Sequence, residues 1–213
     1  MRTTGFVVLL LSTVGLALAA ILDRTGREPA TAGAGTARDT AEATFAGGCF
    51  WCVEEAFDAV PGVVSTTSGY TGGRTADPSY QEVSAGGTGH AEAVRVVYDT
   101  GVTTYAKLLD AFWRNIDPTD GGGQFCDRGD SYRSAIFTHG EEQRRLAEAS
   151  KQALAASGRF DEPIATAVVS AEPFYPAEAY HQDYYRKNSV RYKLYKWNCR
   201  RAQRLEQIWG EKP

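Results

Sequence analysis

The sequence predicts an α+β fold, a two-layer sandwich with a mixed central sheet and helices packed on it. Strand-like runs at residues 63–70, 91–98, 133–138 and 164–170 are interleaved with helix-period stretches at 50–60, 104–115, 141–157 and 180–209. With a short opening strand at Thr44-Phe45-Ala46, the order is strand, helix, strand, strand, helix, strand, helix, strand, helix, which packs as helices against one sheet. The composition is that of a globular chain: 213 residues, 43% hydrophobic and 23% charged, with 22 Gly and 8 Pro. That excludes collagen-like, coiled-coil and wholly disordered chains. With 23 Lys+Arg against 26 Asp+Glu there is no basic excess, so no nucleic-acid partner is expected.

Each element has a local reason. Residues 1–22 open with Arg2, run uncharged from residue 3 to residue 22, and present Ala17-Leu18-Ala19 at the exit. This reads as an export signal cleaved after Ala19, with an uncleaved membrane anchor as the rival. Residues 23–41, rich in Ala, Thr and Gly, read as a flexible linker, and 42–213 as the folded domain. Gly47-Gly48 ends the first strand, and Val53, Ala56, Phe57 and Val60 give the following helix one buried face until Pro61-Gly62 stops it. Residues 69–73 read as a tight loop. Ala93, Arg95 and Val97 alternate with Val94, Val96 and Tyr98, as a half-buried strand requires. Thr104 can cap a helix that buries Leu108, Leu109, Phe112 and Trp113. A long Gly-rich loop covers 116–131, and Gly158 closes the helix begun at Glu141.

The chemistry concentrates at Gly47-Gly48-Cys49-Phe50-Trp51-Cys52. Two glycines turn the chain sharply and set Cys49 at a helix N-terminus, where the dipole favours a thiolate. Cys52 lies three residues on, on the same helix face. Zinc is not expected, because Cys126 and Cys199 form no second C-x-x-C and His90, His139 and His181 do not pair at metal spacing. A thioredoxin-type thiol–disulfide site stays open at this point.

Further motifs narrow the choice. Gly48-Cys49-Phe50-Trp51, Gly69-Tyr70-Thr71-Gly72-Gly73, Pro78-Ser79-Tyr80, Thr88-Gly89-His90-Ala91-Glu92, Asp117-Pro118-Thr119, Tyr132-Arg133-Ser134 and His181-Gln182 occur in that order. Together they resemble peptide methionine sulfoxide reductase A over about 150 residues. The resemblance implies a ferredoxin-like sandwich and thiol-dependent reduction of methionine S-sulfoxide, free or in proteins. It implies no bound cofactor, an external dithiol such as thioredoxin, and oxidised proteins as partners. By resemblance Cys49 is the nucleophile and Glu92 the proton donor. Tyr80 and Tyr132 hold the sulfoxide oxygen, Asp127 orients the polar group through water, and Phe50 and Trp51 wall the methyl pocket. Burial beside that wall would keep Glu92 protonated at neutral pH. A sulfenic acid on Cys49 would then condense with a second thiol.

Many relatives carry Gly at the position of Cys52 and take a resolving Cys from a Gly-rich tail; here the tail is Tyr195-Lys196-Trp197-Asn198-Cys199-Arg200. Cys52 is therefore the expected resolving thiol, Cys126 its competitor beside Asp127, and Cys199 a recycling thiol or an inert one. Eight Lys and Arg with no acid between residues 186 and 204 read as a solvated helix face, with Leu194, Ala202, Leu205 and Ile208 as the packing stripe. The expectation is an exported, monomeric repair enzyme. Its rivals are a disulfide oxidoreductase and a non-catalytic binding domain.

Overall fold

A computed structural model of the chain describes residues 39–210. The leader read at 1–22 and the linker as far as residue 38 lie outside the described residues. Strand β1 (Thr40–Gly47) starts within the stretch read as linker, because Thr40 and Ala41 already pair with Asp99 and Tyr98. The chain continues through α1 (Phe50–Asp58), β2 (Val63–Thr71), α2 (Tyr80–Ala85), β3 (Ala91–Asp99) and α3 (Tyr105–Arg114). The stretch read as one long loop holds a two-strand hairpin, β4 (Gly123–Gln124) and β5 (Asp127–Arg128), and a 3-10 turn at Asp130–Tyr132. There follow β6 (Ser134–Thr138), α4 (Glu141–Ala156), β7 (Ala167–Ser170), β8 (Tyr175–Pro176), α5 (Tyr184–Lys187), α6 (Ser189–Asn198) and α7 (Arg201–Trp209).

Six strands form one sheet in the order β7-β6-β1-β3-β2-β8. All neighbours are antiparallel except β6 and β7, so the sheet is mixed, as the sequence predicts. Alternation decides what each face carries. Ala43 and Phe45 of β1 and Val94, Val96 and Tyr98 of β3 face the helices, where they meet Phe57 of α1, Leu108 and Phe112 of α3 and Ala147 of α4. Phe45 stacks on Phe57 and Phe112 with centroids 4.8 and 5.1 Å away. Leu108, Leu109 and Phe112 are fully buried, each contributing roughly 1.5–3 kcal/mol. The opposite face is built of small residues, Ala46, Ala91, Ala93 and Ala135, with Phe137, and the chain near Ala171 and Phe174 covers it. Glu92 shares the parity of Val94, which puts its carboxyl on the helical side, at the start of α1.

The tail departs from the single basic helix of the sequence reading. Asp183 and Arg200, each at φ 54°, open α5 and separate α6 from α7. Its cations are not simply solvated. Lys196 pairs with Glu55, Arg186 with Asp58, and Arg204 with the buried Asp117 at 2.7 Å, while Arg201 donates to the Asn115 carbonyl. They fasten the tail to α1 and to the turn after α3. Leu205 and Ile208 are buried as expected, but Leu194 and Ala202 are exposed.

Candidate active site

Cys49 is the N-cap of α1, and its carbonyl accepts the Cys52 and Val53 N–H groups at 3.0 and 3.3 Å. Gly48 makes the turn with φ 82°, a value that side chains rarely adopt. A Cβ there would also meet the Gln124 Cβ at 2.5 Å. Gln124 cannot retreat. Its amide oxygen accepts the Asp117 N–H and its amide nitrogen donates to the Asp117 carbonyl, both at 2.8 Å. The glycine pair and this buried amide therefore set where the Cys49 sulfur sits.

The electrostatics differ from the sequence expectation at one point. The free N–H of Phe50 at the head of α1 donates to Glu92 Oε2 at 2.9 Å, so the helix terminus serves a carboxyl rather than a thiolate. Burial pushes the Glu92 carboxyl up to about 8, helped by charge on Asp127 and Cys52 and opposed by the Phe50 N–H. Glu92 thus holds a proton at neutral pH. Cys49 and Cys52 are both free thiols, only 5% and 4% exposed. Burial and the neighbouring Cys52 raise the Cys49 thiol well above its ordinary value. Cys52 moves down to about 6, chiefly through its hydrogen bond with Cys49, then through the charges of Arg201 and Lys196 and the Tyr192 hydroxyl. The two sulfurs share one negative charge, drawn toward Cys52. The lowered Cys49 pKa expected from the helix dipole is absent, because the thiol is buried and the first free N–H of the helix is taken by Glu92.

Tyr80 and Tyr132 converge on the same point. Burial raises both phenols, and the charges of Glu92 and Cys49 raise both further, so the two hydroxyls share one surrounding. Tyr80 opens α2, which Ser79 and Glu82 cap reciprocally, and its N–H donates to Glu178 Oε1 at 2.9 Å. Glu178 Oε2 takes the Tyr70 hydroxyl at 2.9 Å, so one carboxylate braces two tyrosines around the site. Asp127 lies alongside, and Tyr195 donates to it directly. Burial raises its carboxyl against Tyr195 and Arg201.

The two aromatic wall residues separate. Phe50 belongs to the core, near Tyr70 and His181. Trp51 is half-buried and stacks flat on Tyr184, 3.8 Å between centroids, while its indole N–H donates to His181 Nδ1 at 3.1 Å. That bond places the remaining proton of a neutral His181 on Nε2. Tyr184, Tyr192 and Tyr195, all from the tail, close the chamber over the two thiols.

A buried nucleophilic thiol, a protonated carboxyl and two phenols around one point form an arrangement for attack on an electrophile whose oxygen must be protonated. Comparison with known proteins agrees. A sequence model of the family described as peptide methionine sulfoxide reductase matches residues 41–213. The chain belongs to the peptide methionine sulfoxide reductase family. The peptide methionine sulfoxide reductase MsrA of Bacillus licheniformis is 55% identical over 170 residues, covering 80% of this chain and 94% of that protein. The Bacillus subtilis protein of the same name is also 55% identical, with 80% and 96% covered. Among solved structures, methionine sulfoxide reductase A of Corynebacterium diphtheriae aligns with a TM-score of 0.64 at 37% identity, over 71% of this chain and 76% of that one.

In this member of the peptide methionine sulfoxide reductase family the remaining cysteines pair with each other. Cys126 and Cys199 form a disulfide with Cα atoms 5.0 Å apart. The sequence reading offered Cys126 as the competitor of Cys52 and Cys199 as a recycling or inert thiol; with the two paired, neither is a free thiol, and Cys52 is the free thiol beside Cys49. The cluster Cys126, Asp127 and Cys199 has metal-type donors, but its thiols are spent in the disulfide and only a carboxylate remains. Sequence reasoning missed Tyr184, Tyr192 and Tyr195, the tail aromatics at the site, and Glu54. Glu54 is buried in α1, accepts the Asp183 N–H at 3.1 Å, and is pushed up to about 7 by burial. Glu54 had no signal beyond its place between Val53 and Phe57.

Proposed function

We propose that this chain reduces methionine S-sulfoxide, free and in proteins, to methionine, with Cys49 as nucleophile and Glu92 as proton donor. The observation that carries it is Glu92 beside Cys49: a carboxyl kept neutral at pH 7, with the Tyr80 and Tyr132 hydroxyls at the same point. The Cys52 thiolate takes the Cys49 proton as the Cys49 sulfur attacks the sulfoxide sulfur and Glu92 protonates its oxygen; the new sulfur–sulfur bond then breaks as the hydroxyl passes from the substrate sulfur to Cys49. Oxygen ends on Cys49 as a sulfenic acid and methionine leaves, two electrons having passed from the cysteine sulfur to the substrate sulfur. Cys52 displaces water from the sulfenic acid and forms the Cys49–Cys52 disulfide. An external dithiol, thioredoxin or its equivalent, returns both to thiols. Trp51, the half-buried member of the aromatic pair, borders the methyl of the substrate.

An extracytoplasmic location is part of the proposal. The leader-like residues 1–22 support it, as does the Cys126–Cys199 disulfide, a bond that oxidising compartments preserve. Among the described residues no helix is long and apolar enough to cross a membrane. The disulfide-oxidoreductase reading leaves the protonated Glu92 and the Tyr80 and Tyr132 hydroxyls without a role, because thiol–disulfide exchange has no substrate oxygen to protonate.

The test uses the full chain, separated S and R epimers of a methionine sulfoxide peptide, and dithiothreitol as reductant. Turnover of the S epimer alone, abolished in Cys49→Ser, is expected. No turnover of either epimer by folded protein with two titratable thiols would overturn the reading.

A further inference from the structure

Tyr195 is an additional hydroxyl at Cys49 that the sequence motifs do not supply. Its ring stands edge-on to Trp51, 5.8 Å between centroids, in the cluster that holds Cys49 and Cys52. Its hydroxyl donates to Asp127 Oδ2 while its ring packs on the cluster that holds Cys49, and the hydroxyl draws the Cys49 thiol down against the burial that raises it. A phenol has one hydrogen to give. While Asp127 holds it, the Cys49 thiol can meet only the Tyr195 oxygen; a thiolate on Cys49 needs that hydrogen for itself.

The disulfide joins the same two segments. Cys126 immediately precedes Asp127, and the Cys199 N–H bonds the Tyr195 carbonyl at 2.9 Å, one helical turn away. A covalent bond and the Asp127–Tyr195 hydrogen bond therefore run side by side between β5 and α6. The other charged or titratable groups around them are Cys52 on α1, Glu92 on β3, Tyr80, Tyr132 and Arg201 on α7.

We propose that Tyr195 is a further positioning residue for the reduction: its single hydroxyl hydrogen, held by Asp127 here, turns to the Cys49 sulfur when that sulfur carries charge, and the Cys126–Cys199 disulfide keeps it within reach of both. Asp127 and the Cys49 thiolate are thus competitors for one donor. This deepens the reductase reading and rests on it.

The experiment follows alkylation of Cys49 by iodoacetamide against pH in the Cys52→Ser chain, where the intact disulfide leaves Cys49 as the one free thiol. Tyr195→Phe should raise the alkylation midpoint by roughly one pH unit, the scale of one lost hydrogen bond to a charge. Asp127→Asn should lower it, since a neutral amide competes more weakly for the hydroxyl and brings no charge. Cys126→Ser with Cys199→Ser should raise it, with little further rise when Tyr195→Phe is added. In the otherwise native chain, Tyr195→Phe should slow single-turnover methionine formation roughly tenfold at pH 7 and leave the half-saturating sulfoxide concentration unchanged. An unmoved midpoint in Tyr195→Phe, shifts of the same sign for Tyr195→Phe and Asp127→Asn, or no shift on removing the disulfide would each overturn the proposal. If the parent formed no methionine, the reductase reading would fall, while the alkylation midpoints would still decide whether Tyr195 serves Cys49.

Discussion

Replacing Glu92 by Gln should move activity and stability in opposite directions. The amide oxygen of the new side chain can still accept the Phe50 N–H that Glu92 accepts at 2.9 Å, so α1 keeps its start. What disappears is a transferable proton, and loss of a general acid costs roughly 100- to 10,000-fold in turnover. Stability follows from the folded value of about 8 against an ordinary 4.5. A carboxyl whose pKa is raised by folding favours the unfolded chain once the pH exceeds the unfolded value, because only the unfolded chain can ionise freely. The penalty grows from pH 4.5 to pH 8 and is constant above, reaching on the order of 3 kcal/mol at pH 7. An amide does not ionise, so Glu92→Gln should unfold at a higher temperature than the parent at pH 7, by roughly 5 °C or more, and match it near pH 4.5. Parallel melting curves at both pH values, with S-sulfoxide turnover measured across pH 6 to 9, check this. The parent should lose turnover above about pH 8 as Glu92 gives up its proton. A variant that melted below the parent at pH 7, or kept a tenth of its turnover, would refute the assignment of a buried, protonated Glu92.

Other outcomes follow from the same structure. Glu54→Gln should raise the melting temperature at pH 8 and leave it unchanged near pH 4.5, since burial holds that carboxyl up at about 7; a rise at acid pH would contradict it. Gly48→Ala, with φ 82° and a Cβ 2.5 Å from that of Gln124, should cost roughly 1–3 kcal/mol in urea unfolding and displace Cys49 enough to depress turnover. Cys126→Ser with Cys199→Ser opens a link spanning a sequence separation of 73, and should lower unfolding stability by up to about 4 kcal/mol. Parent treated with a strong reductant should approach the same urea midpoint.

How much of this was legible in the sequence depends on where each signal lies. The alternation of β3 and the apolar periodicity of α3 are local, and both elements stand where the pattern puts them. The placement of Cys49 was legible because two consecutive glycines before a helix have few other uses. Helix α2 was overlooked although Ser79 and Glu82 form a capping box, because its six residues bury only Val83 and leave no periodicity to detect. The 123–128 hairpin was hidden for a similar reason: two residues per strand show no alternation, and Phe125 takes its left-handed φ of 56° without being Gly or Asn. The Cys49 thiol was misjudged because a helix dipole can be read from position, whereas complete desolvation and competition from Glu92 depend on what folds over the site. The cover comes from residues 184–195, which in sequence read as a basic helix with spare tyrosines. Their partners, Glu55, Asp58 and Asp127, lie 68 to 137 residues away in hydrogen bonds that no local pattern encodes.

The central position of β1 shapes how the chain can be made. A ribosome or a translocation channel delivers Thr44 early, yet its two neighbours in the sheet, Arg95 and Phe137, arrive much later. No stable sheet can close around the first strand until more than half the polypeptide has emerged, because each long closure must be completed before its contacts form. The nascent chain therefore stays threadable for most of its synthesis. Cys199 comes out later still, so the cross-link that ties down the tail, and with it the cover over the catalytic thiols, is among the last events of maturation.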